Sequence, residues 1–116
     1  MCSPVSDGAA AAIVCNESGL KCLQGDARRA VRVLACVLQT GSERASNDLE
    51  NHLVRKAAHR LYEQSGVSPQ DVGVAEVHDA TAIGEVLQSE LLGLVPMGHG
   101  GPAAERGETR LGGRIP

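Results

Sequence analysis

The chain has 116 residues, enough for about one small domain, and 42% of them are hydrophobic. With no Phe, no Trp and Tyr62 as the one aromatic, its core has to be built from Ala, Val and Leu, which bury less area per residue than aromatic rings. A formal charge of -3, with Arg28, Arg29 and Arg32 as the densest basic cluster and no aromatic platform beside them, argues against a nucleic-acid binder.

Chain order begins with a turn signal at Asp7-Gly8. Ala9 to Cys15 is continuously small and apolar and reads as a strand buried on both faces, with helix as the alternative because Ala is the best helix former. Asn16 to Leu23 is predicted as a short helix, broken by Gln24 to Asp26. Ala30 to Leu38 reads as a second strand, with Val31, Val33, Ala35 and Val37 on one face and Arg32, Leu34, Cys36 and Leu38 on the other. Gly41 to Ser46 is a polar loop.

The clearest helix follows. Asn47 is its expected cap, with Glu50 three residues on in the capping-box pattern. Leu53, Val54, Ala57, Ala58, Leu61 and Tyr62 make one apolar stripe, with His52 and His59 at its flanks. Gly66 ends the helix and Pro69 follows. A third strand is expected within Asp71 to Asp79, carried by Val72, Val74, Ala75 and Val77. Thr81 to Leu92 is a second helix, stopped by Gly93, with Ile83, Val86, Leu87 and Leu91 inward and Glu85 and Glu90 in solvent. From Pro96 the residues turn to Gly, Pro and charge, so loop is expected, with a short strand at Arg114-Ile115. Alternating strands and helices make this an α/β chain with few strands for its helices to cover.

The four cysteines, Cys2, Cys15, Cys22 and Cys36, form no C-x-x-C pair and no zinc-finger spacing with His, so no metal site is expected. Cys15 and Cys36 lie in apolar runs and read as small buried hydrophobes of a reducing compartment. MCSPVSDG has no basic or apolar leader pattern, and no apolar run reaches membrane-spanning length; a soluble intracellular protein is expected.

His78-Asp79 is the best candidate for chemistry. It falls at the carboxyl end of a predicted strand and directly before a helix, where open α/β sheets place their sites. A His there can donate to a developing oxyanion or shuttle a proton, and Asp79 can cap the helix or orient the ring. Equally, the His can simply satisfy a backbone group at the strand end. Gly98-His99-Gly100-Gly101 lacks the G-K-[ST] of a phosphate loop and reads as a flexible surface loop. No Ser-His-Asp set can be assembled by spacing.

Longer stretches carry a family pattern. CSPVSDGAAAAIV (2–14) resembles the segment closing the first half of thiolases of the sterol-carrier-protein-X type. AAHRLYEQSGVSPQDVGVAEVHDATAIGE (57–85) resembles the helix, turn, strand and site motif opening their second half, and ELLGLVPMGHGGPAAERGETRLGGRIP (90–116) the loop that follows. The resemblance implies a partial thiolase fold, an incomplete mixed sheet with covering helices, divided as 1–24 (end of the first half) and 25–116 (start of the second).

By the same resemblance, His78 is an oxyanion-hole donor, with Asp79 beside it, in the position where ordinary thiolases carry Asn-Glu-Ala. The branch often has a bulky aromatic two residues after the His-Asp pair; here Ala80 and Thr81 follow, which changes the pocket. None of the four cysteines occupies the family's nucleophile motif, and the G-H-P motif and the coenzyme A loop find no match in these residues. The implied activity is acyl transfer on 3-ketoacyl-coenzyme A thioesters, with coenzyme A as co-substrate, no covalently bound cofactor, and no turnover by this chain alone. Implied partners are the acyl-CoA substrate, the remainder of the thiolase fold and a second copy of the parent enzyme. Implied location is the cytoplasm, or the peroxisome in a eukaryote. Two alternatives stand: an aldolase of steroid side-chain thioesters working with a zinc-ribbon and OB-fold partner, or a non-catalytic subunit of a split gene.

Overall fold

A computed structural model describes residues 2, 4–23 and 27–116. They form two compact units, Pro4–Val33 and Leu34–Pro116, the latter together with Cys2. The break expected at Gln24 to Asp26 lies outside the described residues.

In the first unit, α1 (Glu17–Cys22) starts at Asn16, whose side chain accepts from the Gly19 N–H at 2.8 Å. Glu17 in the first turn and Lys21 in the last complement the helix dipole. A 3-10 turn follows at Ala27–Arg29.

The second unit holds α2 (Leu53–Ser65), a 3-10 turn at Pro69–Asp71, α3 (Ala82–Leu91) and α4 (Gly100–Glu105). α2 begins later than the capping-box pattern predicted. Its cap is His52, whose Nδ1 accepts from the Val54 N–H at 3.2 Å. Asp48 instead accepts from the Asn51 backbone and side chain, which closes a separate turn ahead of the helix. Glu50 stands 3.0 Å from Arg55 Nε as an ion pair. Gly66 ends the helix in the left-handed region (φ 70°), as its position predicted. α3 is capped by Thr81, whose hydroxyl accepts from the Gly84 N–H at 3.1 Å.

The apolar core is small, as the composition predicted: Ala58, Leu91, Leu94, Val95, Ala103 and Ile115, joined by the buried polar residues Ser89 and Glu90. α3 packs against both α2 and α4. Tyr62 ties α2 to the end of α3, its hydroxyl donating to the Leu92 carbonyl at 2.8 Å. Burial pushes the Tyr62 phenol above its ordinary range.

Two expectations are corrected by the chain after Pro96. Gly100 and Gly101 form the first turn of α4 and are no flexible loop. Glu90 is not a solvated helix carboxylate: it is buried and accepts from the Gly100 N–H at 2.7 Å. A Cβ at Gly100 would stand 2.7 Å from the Val86 carbonyl oxygen and 2.9 Å from Glu90 Oε1, so only glycine permits this approach of α4 to α3.

The expected sheet is not formed: no strand occurs among the described residues. The segments predicted as strands run without secondary structure, and Arg114-Ile115 forms no strand either. Their ladder partners are what is missing. The Ala75 N–H donates to the Pro116 carbonyl at 3.2 Å, and a single bond of this kind is no ladder. The two-residue alternation nevertheless persists. Ala35 and Val37 are half-buried while Cys36 and Leu38 are exposed; Ala75 and Val77 are half-buried while Val74, Glu76 and His78 are exposed. Cys15 and Cys36, expected inside, are therefore exposed, as are Cys2 and Cys22.

Candidate functional site

His78 closes the extended stretch that leads into α3, at the junction where the sequence placed it. Its side chain lies on the exposed side of the alternation, the side shared with Val74. Its backbone is held more firmly: the Gln88 side chain, two turns into α3, donates to the His78 carbonyl. Gly84 lies under the same stretch, where a Cβ would meet Thr81 Oγ1 at 3.2 Å and the His78 carbonyl oxygen at 3.8 Å. The helix-capping place offered to Asp79 is taken by Thr81, because the hydroxyl two residues later is the group that reaches the Gly84 N–H.

Asp79 faces a cleft of about 260 Å³ between residues 75–79, α3 and the last turns of the chain; His78 is not among its lining residues. Glu76, Asp79, Glu85 and Glu108 contribute four carboxylates to this wall against the guanidinium of Arg114. That cation is already engaged, donating to Glu108 Oε2 at 3.3 Å and to the Leu94 carbonyl at 2.6 Å. Arg106 makes a two-pronged bond to Glu108 Oε1, 2.9 and 2.7 Å. The Arg106 bonds, then those of Arg114, hold the Glu108 carboxyl below its ordinary value. A wall with this balance repels phosphate and offers nothing to the polyphosphate end of a coenzyme.

The glycine-rich run at Gly98 to Gly101 offers no anion site either, since Glu90 already occupies the Gly100 N–H. A second cleft, about 410 Å³, lies beside α2 and is lined by His59, Tyr62, Pro69 and Leu91. It brings together no nucleophile and base. His52, read from sequence as a flanking surface histidine, serves as a cap. Burial and then the nearby Arg44 charge lower its pKa from the ordinary 6.5. The buried Glu90 was missed in the sequence; its signal was the register of α3, which places position 90 beside the core residue Leu91 and opposite the glycines of α4. No group of His, Cys, Asp and Glu suited to holding a metal occurs among the described residues. None of the described helices is long and apolar enough to cross a membrane.

Helices that pack on one another and extended segments that keep strand alternation without pairing are what a portion of an α/β layer leaves when its ladder partners are missing. Residues 36–116 match the family model described as thiolase C-terminal domain-like, and the chain belongs to that family, whose fold is a thiolase-like α/β fold. Sterol carrier protein 2 of Oryctolagus cuniculus is 39% identical over 121 residues, covering 97% of this chain and 22% of that protein. The benzoylsuccinyl-CoA thiolase subunit BbsB of Thauera aromatica is 36% identical over 115 residues, 97% of this chain and 29% of that protein. The acetyl-CoA acetyltransferase of Methanothermobacter thermautotrophicus is 35% identical over 124 residues, 99% of this chain and 30% of that protein. The chain thus spans between a fifth and a third of the length of these curated relatives.

Proposed function

We propose that this chain supplies the oxyanion-hole histidine and part of the second-half layer of a thiolase-type acyltransferase acting on 3-ketoacyl-CoA or related thioesters. The observation that carries the reading is His78-Asp79 at the entry of α3, inside the family-matched residues 36–116. In the reaction a cysteine thiolate adds to the ketone carbonyl, and the bond between the α and β carbons breaks. The released thioester enolate is protonated, and the coenzyme A thiol then takes the acyl group from the enzyme sulfur. The His78 N–H donates to the oxygen on which charge develops, and Asp79 orients the ring.

Residues 1–24 are assigned to the end of the first half and 25–116 to the start of the second. The remainder of the thiolase fold supplies the ladder partners for the extended segments and the thiolate. The acidic balance of the 260 Å³ cleft supports placing the coenzyme's phosphates elsewhere. The parent enzyme is read as a homo-oligomer of the cytoplasm, or of the peroxisome in a eukaryote. No specific observation favours the aldolase with its zinc-ribbon and OB-fold partner, or the non-catalytic split subunit.

The test has two arms. The isolated chain with acetoacetyl-CoA and coenzyme A is expected to show no thiolysis above the uncatalysed rate. A chimera in which residues 36–116 replace the matching segment of the Methanothermobacter acetyltransferase is expected to turn over. A folded, silent chimera, or turnover by the chain alone, would overturn the reading.

A further inference from the structure

The geometry points to Gln88 as a positioning residue that holds the His78 backbone from which the imidazole projects; this deepens, and rests on, the functional reading of His78. Three features converge on the short stretch between the extended segment and α3. Thr81 fixes its far end by capping Gly84. The backbone of residues 78 and 79 lies close over the first turn of the helix, 3.8 Å (His78 carbonyl oxygen) and 4.0 Å (Asp79 Cα) from where a Cβ on Gly84 would stand. The Gln88 amide then donates to the His78 carbonyl from one helical turn above Gly84, since positions 84 and 88 share a helix face.

A carbonyl held at one point fixes the plane of its peptide, because the amide is rigid and only the dihedral angles on either side are soft. With the 78–79 plane held, the His78 Cα is placed and its Cβ can swing only through the single soft angle ψ of residue 78. That matters for a histidine whose side chain lies on the exposed side of the alternation. An oxyanion donor works only when it is aimed before the charge develops, and misplacement of about 1 Å costs on the order of 100-fold in rate. The clamp is polar and lies at the surface, so its role is orientation more than stability.

The test uses the isotopically labelled chain itself and three proteins: wild type, Gln88→Leu and Gln88→Glu. All three residues favour helix to a similar degree, so α3 should be unchanged, as its backbone chemical shifts will show. In the wild type, the Asp79 amide order parameter should be about 0.85, and it should fall below about 0.6 in Gln88→Leu. Gln88→Glu should behave like Gln88→Leu at pH 7, where a carboxylate cannot donate. It should regain wild-type order below pH about 4, where the acid O–H can donate again. Packing by the side-chain methylenes alone would give no such pH rescue. An unchanged order parameter in Gln88→Leu, or a Gln88→Glu protein indifferent to pH while wild type stays folded, overturns the clamp. An ordered loop in a chimera indifferent to His78→Ala would instead sink the functional reading alone.

Discussion

The α3–α4 region and the extended segment around residues 30–38 both draw their apolar side chains mainly from Ala, Val and Leu, and they reach opposite ends. In the former, Leu91 is 2% and Ala103 1% exposed; in the latter, Val31 is 89% and Leu38 87% exposed. The difference lies in where backbone hydrogen bonds can be found. A helix closes its ladder within one segment, so α3 needs only a cap, a stop and one packed face. A strand cannot satisfy itself, and apolar residues in an unpaired extended segment stay in water whatever their hydrophobicity.

The comparison breaks first, and with the largest effect, at Gly100. Gly100→Ala forces a methyl onto the Val86 carbonyl and the Glu90 carboxylate, and should cost about 3 kcal/mol in denaturant unfolding. A loss below about 0.5 kcal/mol would mean that α4 does not pack so closely. Glu90→Ala comes next: it leaves the buried Gly100 N–H without its acceptor, for about 2 kcal/mol. Glu90→Gln keeps an acceptor oxygen and should cost clearly less. Thr81→Ala removes the α3 cap and should cost about 1 kcal/mol.

Acid sharpens the contrast within the helical unit. His52 has a lowered folded pKa, so its neutral form is favoured in the fold. The stability this contributes is complete above the ordinary 6.5 and fades as pH falls through the lowered folded value. Protonation takes away the Nδ1 acceptor that caps α2. Helix fraying at Val54 should therefore set in below pH 6.5, measured by amide exchange. Glu108, also lowered, contributes fully above its ordinary 4.5, and its contribution is lost as pH falls through its folded value. The chain-end turns should loosen after α2 does. The smallest effect belongs to the extended segments: Leu38→Thr should change stability by no more than about 0.5 kcal/mol, because the side chain is already in water.

The legible parts of the sequence follow the same division. α1, the C-terminal end of α2 and both ends of α3 were readable because caps and Gly stops act over a few residues. The place of His78 just ahead of the Thr81 cap was readable for the same reason, although the strand expected to deliver it is not formed among the described residues. The core was less so: Ala58 and Leu91 of the expected stripes are buried, but Leu53, Leu61 and Ile83, expected inward, are exposed, and Leu94, Val95, Ala103 and Ile115 come from outside the stripes. The start of α2 was misjudged because Asn47 and Glu50 satisfy the cap pattern while the turn closed by Asp48 and Asn51 delays the helix to Leu53. α4 was missed because three of its first four positions are Gly or Pro. It forms through a tertiary contact, the Glu90 carboxylate at its first N–H, which the residues of α4 themselves do not reveal. The strand alternation at 35–39 and 74–78 was readable, but pairing depends on residues far away in sequence, and alternation alone does not bury a side chain.

The most direct measurement is the thiolysis kcat of the acetyltransferase chimera carrying His78→Ala. The account predicts that it falls by roughly 100- to 1000-fold, with the chimera's fold intact by circular dichroism. A His78→Ala chimera that keeps the kcat of its parent would contradict the assignment of this histidine to the oxyanion hole.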